Sequence, residues 1–395
     1  MTLFSSLRHF FAAPEQKRSA TGPLIALHQT GRPQWTPRNY AALAKEAFAG
    51  NPVGYRCVRM IAEAAASVPW LLFEGDDERD DHPLLDLLSR PNPAQPGRVL
   101  MESFYGHLET AGNAYLEAVR LGDDIRELHV LRPDRMRAVA GRDGWPEAYD
   151  YSVNGASLRF RQEGEVAPIL HVKLFNPLDD YYGLSPLEAA ARGIDIHNAA
   201  ANWNKAVLDN AARPSGALIY QGGDGAANLT QDQFDRLKHE LEQSYQGGAN
   251  AGRPMVLEGG LDWKQMSLTP KDMDFIEAKH SAARDVALAL GVPPMLLGIP
   301  GDNTFANYAE ANRSFWRQTV IPLVARTAEA LTQWLRPAFG SGLRLSYDTD
   351  QVEALSAERE ALWRRVGAAS FITDEEKRAA VGYGAMRDDS LHPSP

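Results

Sequence analysis

Apolar residues early in the chain recur at helical spacing. Val53, Cys57, Ile61 and Ala64 or Ala65 form one stripe behind Asn51-Pro52, which predicts a helix from about 52 to 66. Val68 to Phe73 reads as a short strand, 82–88 as a short helix and 97–110 as a longer one. From Asn113 the period changes to two: Tyr115, Glu117 and Val119 alternate with Leu116 and Ala118, a Gly122-Asp-Asp turn follows, and Ile125 to Leu131 forms the partner. Asn154-Gly155 lies between two alternating runs, 149–153 and 157–160, and signals a tight hairpin because both residues accept positive φ. Residues 113–174 are therefore expected to be β-rich.

Two long helices then open with the same formula. Ser185, Pro186 and Glu188 supply a hydroxyl cap, a proline at the first helical position and an acid to close a capping box, for a rod running to about Ala212. Thr269, Pro270 and Asp272 repeat the pattern for a second rod ending at Leu290, where Gly291 suits a left-handed stop and Pro293-Pro294 forbid continuation. Between the rods, 214–269 reads as a small α+β insertion: a strand at 216–220, a turn at 222–225, a helix capped by Thr230 and Gln233 reaching Tyr245, and strands 254–257 and 261–266 pairing with each other. A third long helix, from Thr304 or Asn307 to Leu335, carries Pro322 in its interior and should kink there. A strand at 343–347, helices at 354–368 and 373–382, the latter capped by Thr373-Asp-Glu-Glu376, and a loose tail from 388 complete an α+β chain whose residues 12–36 read as an extended arm.

The formal charge of −10, from 41 basic and 51 acidic residues, argues against a protein that grips DNA tightly. Cys57 is the only cysteine, which excludes an internal disulfide and a multi-Cys zinc site. The N-terminus lacks a signal-peptide core, and no window supplies the ~18 apolar residues of a membrane span. A chain assembled in the cytoplasm is expected.

Catalytic motifs fail on inspection. Gly222-Gly-Asp-Gly225 lacks the Lys and hydroxyl of a phosphate loop. His239-Glu240 is followed by Gln243 where a second His ligand belongs. Gly183-Leu-Ser-Pro-Leu187 ends in Leu where a nucleophile elbow needs Gly, so Ser185 reads as a cap. Asp348-Thr-Asp350 loses the calcium-loop pattern at Val352 and Glu353. His197 and His280, on the two rods, would face each other without a third ligand, and Asp179-Asp180 reads as a solvated turn. Neither an enzyme nor a cofactor is expected.

Several ordered motifs carry a family resemblance: Val68-Pro69, Pro91-Asn92-Pro93, Gly112-Asn113-Ala114-Tyr115, Gly183-Leu184-Ser185-Pro186, Val256-Leu257-Glu258-Gly259-Gly260, Gly291-Val292-Pro293-Pro294, and the segment from Thr304 to Pro322. Together they resemble the portal proteins of tailed double-stranded-DNA bacteriophages and gene transfer agents. The resemblance implies an arm (1–39), a wing (40–185, returning at 305–350), two stem helices (186–213 and 270–291), a clip (214–269), a tunnel loop (292–304) and a short crown with the tail (351–395). It implies a ring of about twelve subunits at a capsid vertex of a virion or gene transfer agent particle. Double-stranded DNA passes through such a ring, which meets the packaging ATPase (large terminase), then a head–tail adaptor, within a shell of major capsid protein. Between Gly291 and Gly301 no side chain is charged. Met295 and Leu296 are expected in the core, and Gly298, Ile299, Pro300, Asn303 and Thr304 at the channel surface. On the clip helix, Asp232, Asp235, Arg236, Lys238, His239, Glu240 and Glu242 are the expected docking residues. A non-portal virion adaptor or scaffold, which shares the acidic composition but not the two-rod layout, and a soluble hydrolase with an insertion, which needs a catalytic constellation the sequence does not offer, are the competing readings.

Overall fold

A computed structural model describes residues 35–209, 216–220, 230–245, 261–265, 275–300 and 305–382. Thr36 onward forms one compact unit. Outside the described residues lie most of the arm, the expected turn at 222–225, the strand at 254–257, the first rod's end at Ala212, the second rod's cap (Thr269, Pro270), the loop residues Asn303 and Thr304, and the tail.

A short helix not foreseen from sequence, α1 (Tyr40–Ala42), continues as a π-helical segment, Leu43–Ala49, and precedes α2 (Pro52–Ser67). Cys57, Val58, Ile61, Ala62 and Ala65 of α2 are at most 2% exposed and face α4 (Gly97–Ala111), which buries Leu100, Met101, Phe104, Tyr105 and Leu108. Each such burial contributes about 1.5–3 kcal/mol for the larger side chains. The same core takes in Leu84, Leu87 and Leu88 of α3 (Pro83–Ser89).

The β-rich segment forms two three-stranded antiparallel sheets. One has the order β4 (Asp124–Leu131), β3 (Asn113–Leu121), β8 (Ile169–Lys173), and the other β5 (Met136–Ala140), β6 (Pro146–Val153), β7 (Ala156–Arg161). Asn154 (φ 49°) and Gly155 (φ 84°) make the β6–β7 turn, as their pairing predicts. Tyr115, Leu131, Met136, Tyr149 and Ile169 form a second, smaller core. A third sheet joins β1 (Trp70–Glu74), β2 (Asp77–Glu78) and β11 (Leu343–Tyr347) in the order β11-β1-β2, pairing Trp70 with Tyr347. The Leu345 N–H, which faces away from β1, donates to Thr332 Oγ at 2.9 Å, so a helix side chain closes part of that edge.

The first rod is two pieces: α5 (Pro186–Ala189) and α6 (Ala191–Asp209), separated at Ala190 (ψ −4°). Ser185 accepts from the Leu187 N–H but spends its own proton on the Glu109 and Thr110 carbonyls at the end of α4. No Glu188 side chain closes the expected capping box. The first turn is thus tied to α4, whereas α6 runs beside α8 (Phe275–Ala289). In the insertion, β10 (Leu261–Gln265) pairs with β9 (Gly216–Tyr220), while the partner expected from sequence, 254–257, lies outside the described residues. α7 (Gln231–Tyr245) opens with the anticipated Thr230/Gln233 reciprocal cap.

The third long helix changes its winding just before Pro322. α9 (Phe305–Phe315) passes through a π-helical turn, Trp316–Val320, into α10 (Ile321–Phe339). Pro322 therefore sits in the first turn of α10, where a missing N–H is tolerated, and the wide π turn absorbs the clash its ring would cause. The helix also runs past Pro337, four residues beyond the expected end at Leu335. α11 (Ser356–Ala368) and α12 (Asp374–Ala380), the latter with a complete Thr373/Glu376 capping box, bury no residue of their own.

Candidate functional site

The two rods pack through small residues. Gly193 brings α6 so close to α8 that a Cβ there would lie 3.1 Å from the Ala282 carbonyl oxygen, and Ala282, Ala283, Val286 and Ala287 are buried. The base of α6 is fixed by a polar network. Asn51, fully buried, accepts from the Val53 and Gly54 N–H groups and donates to Asn198 Oδ1 at 2.8 Å. Its amide nitrogen lies 3.2 Å from His197 Nδ1, which must be unprotonated to accept. Burial, with Lys279 and His280 nearby, holds the His197 pKa below its usual value and keeps that tautomer neutral. Asn198 in turn donates to the Glu46 carbonyl in the first π segment.

α8 ends in a full Schellman motif: Gly291 (φ 66°) donates to Leu288 O and Val292 donates to Ala287 O. Val292 is 1% exposed and anchors the loop. Pro294–Leu297 form one 3₁₀ turn, ending at Gly298 (φ 70°). Two side chains from neighbouring helices hold the loop. Thr319, in the π turn, donates to Gly291 O at 2.6 Å, and Arg284 of α8 donates to Pro300 O. A side chain at Gly291 would meet Thr319 Oγ at 2.7 Å, so the stop requires glycine for space as well as for φ.

Five residues were expected to face a channel, and the structure divides them. Gly298 and Pro300 are exposed, while Ile299 is 8% exposed and packs inward. With no charge to solvate, an isoleucine gains more from burial than from contact with water. Met295 is half-buried. On α7, Asp232, Asp235, Arg236, Lys238 and His239 are exposed; the side chains of Glu240 and Glu242 lie outside the described residues.

Sequence reasoning missed a junction that joins two of the family-like motifs. Asn113 Oδ1 accepts from the Gly183 N–H at 2.8 Å and from His171 Nε2 at 2.9 Å, and its amide donates to Ala111 O at 2.8 Å. Gly112 O accepts from Leu174 N, and Tyr115 stacks on His171 with ring centroids 4.2 Å apart. The motif order marked these residues without showing that they touch. Thr319 and Arg284 carried no signal at all. Among the described residues no group of three or more His, Cys, Asp or Glu is placed to hold a metal ion, and no helix is long and apolar enough to cross a membrane.

A helix pair, a glycine- and proline-bounded loop at its end and a π-interrupted helix after it together define a structural scaffold. The phage portal protein family matches residues 52–382, and the chain belongs to that family. In solved structures it is similar to a chain in the neck of an empty gene transfer agent (GTA) particle computed with C6 symmetry: 53% identity, TM-score 0.72, covering 93% of this chain and 100% of the other. It is likewise similar to a chain in the neck of a native GTA particle computed with C12 symmetry, with 53% identity, TM-score 0.69 and coverage of 90% and 96%. The portal protein of Enterobacteria phage HK97 is 25% identical over 355 residues, covering 86% of this chain and 78% of the relative.

Proposed function

We propose that this chain is the subunit of a ring-shaped channel at one capsid vertex, through which double-stranded DNA is packaged and ejected, in a gene transfer agent or tailed-phage particle. The observation that carries the reading is 53% identity over the full length of a GTA neck chain. α6 and α8 pack side by side and α8 runs directly into the loop 291–300, which supports their role as a stem beneath a tunnel loop. In this reading 40–185 and 305–350 form the wing, 214–269 the clip and 351–395 the crown. The ring holds about twelve copies and works without catalysis or cofactor. Its partners are the large terminase, a head–tail adaptor and the major capsid protein. Sizing the purified protein by mass photometry tests this: a closed ring supports it, and a monomer or small oligomer at high concentration overturns it.

In this reading Gly298, Pro300, Asn303 and Thr304 contact DNA sterically, and Ile299 does not. Ile299 is a poor probe because a buried charge would unfold its surroundings. Asn303→Glu is the cleaner variant and is expected to leave ring size intact while lowering packaged DNA; unchanged packaging would reject the loop assignment. In the same assay, Asp232→Lys with Asp235→Lys is expected to weaken capture of the packaging ATPase by rings of normal size. Retained affinity would remove α7 from the docking surface.

A further inference from the structure

A chain with a formal charge of −10 repels copies of itself unless local charges complement one another. Two surfaces outside the stem and loop supply opposite charges. On the β5-β6-β7 sheet, Arg137, Asp150 and Arg159 lie opposite one another across the three strands. The Asp150 carboxylate, only 8% exposed, accepts from Arg137 Nη2 at 3.0 Å and from Arg159 Nε and Nη2 at 2.7 and 3.0 Å. Each guanidinium has five N–H donors, so most remain unspent. Arg137 and Arg159 stay 74% and 52% exposed. Arg161, on the same face two residues along β7, is 72% exposed and among the described residues forms an ion pair only with the equally exposed Glu163, at 3.6 Å. The buried aspartate thus holds guanidinium groups at the surface with spare donors suited to carboxylates.

The other surface is the β1–β2 hairpin. Residues 74–81 carry six carboxylates and one arginine, and all are exposed. Arg79 pairs with Glu74 at 2.7 Å; among the described residues the other five carboxylates form no ion pair. Within one chain the two surfaces do not meet in any ion pair among those residues.

We propose that the acidic hairpin 74–81 of one copy docks on the Arg137–Arg159–Arg161 face of the next, a head-to-tail contact repeated around the ring. The proposal rests on the ring reading above. Two different patches are what a heterologous contact requires, and closure follows from a fixed turn per subunit. Charge pairing at exposed positions sets register and speeds encounter more than it adds raw affinity.

The test is a charge swap on the full chain, read by mass photometry at low salt. Because Arg159 holds the buried Asp150 by two bonds, the basic reversal uses Arg137→Glu with Arg161→Glu, and thermal melting checks the fold. The acidic reversal uses Asp77→Lys with Asp80→Lys. Each reversal alone is expected to lower the ring fraction about tenfold, and combining the two is expected to restore it. Rings unaffected by either reversal, or a combined variant no better than the single ones, overturn the contact while leaving the ring reading intact. Loss of binding to a DNA duplex with unchanged rings would assign the arginine face to nucleic acid and also overturn it. A wild-type chain that forms no ring overturns both.

Discussion

Gly183→Ala is expected to destabilise the chain by about 4 kcal/mol, enough to leave little soluble protein. A Cβ at this position would sit 2.0 Å from Gly112 O, 2.7 Å from Leu174 N and 2.8 Å from Leu174 O. All three are backbone atoms, so no side-chain rotation relieves the clash. Nor can the segment slide away, because the Gly183 N–H is held by Asn113 and Ser185 by two α4 carbonyls. Moving Gly183 therefore breaks the start of β3 and the first turn of the rod together. Gly106→Ala is the control: it lies in α4 with no atom within 4 Å of an added Cβ, and gains up to about 1 kcal/mol of helix propensity. Urea or thermal unfolding of the pair measures the contrast; equal midpoints would contradict this account of the junction.

Glu109→Gln is expected to raise stability by about 3 kcal/mol at pH 8 and to change little near pH 4.5. Glu109 is 6% exposed, and burial pushes its carboxyl up to about 7, partly offset by Arg326. A raised folded-state pKa means that stability is fully present below the unfolded value near 4.5 and drains away as pH climbs through 7. Glutamine keeps the shape without a proton to lose. Two histidines work in the opposite sense. Burial lowers His107 to about 4 and His171 to about 3, so their contribution is present above about 6.5 and is lost as pH falls toward those values. The wild-type curve should bend on both sides, and the glutamine variant should keep only the acid limb. An alkaline limb that survives the substitution would remove Glu109 as its source.

Features decided by a few adjacent residues were legible in the sequence. The Thr373/Glu376 and Thr230/Gln233 caps, the Asn154-Gly155 turn and the Gly291 stop are set by short-range hydrogen bonds and by φ alone. The Ser185-Pro186 opening of the first rod could be read in the same way, but the packing of α6 against α8 is not set by such local signals. Contacts spanning long stretches of chain could not. Strand β1 meets β11 across more than two hundred residues, and nothing local in Trp70–Glu74 specifies that partner. The same holds at the loop. Its uncharged composition was visible, but that composition does not say which of its residues, Ile299 among them, is buried. The break at Ala190 likewise follows from two neighbours pulling on one helix.

The π turn at Trp316–Val320 inserts a wider loop of backbone into an otherwise regular helix. Each residue of an α-helix advances the azimuth by about 100°. Deleting one residue here would restore regular winding, but it would swing everything upstream, from Phe305 to Phe315, out of phase with α10. The segment therefore acts as an angular spacer, and length variation within it should be far less tolerated than substitution.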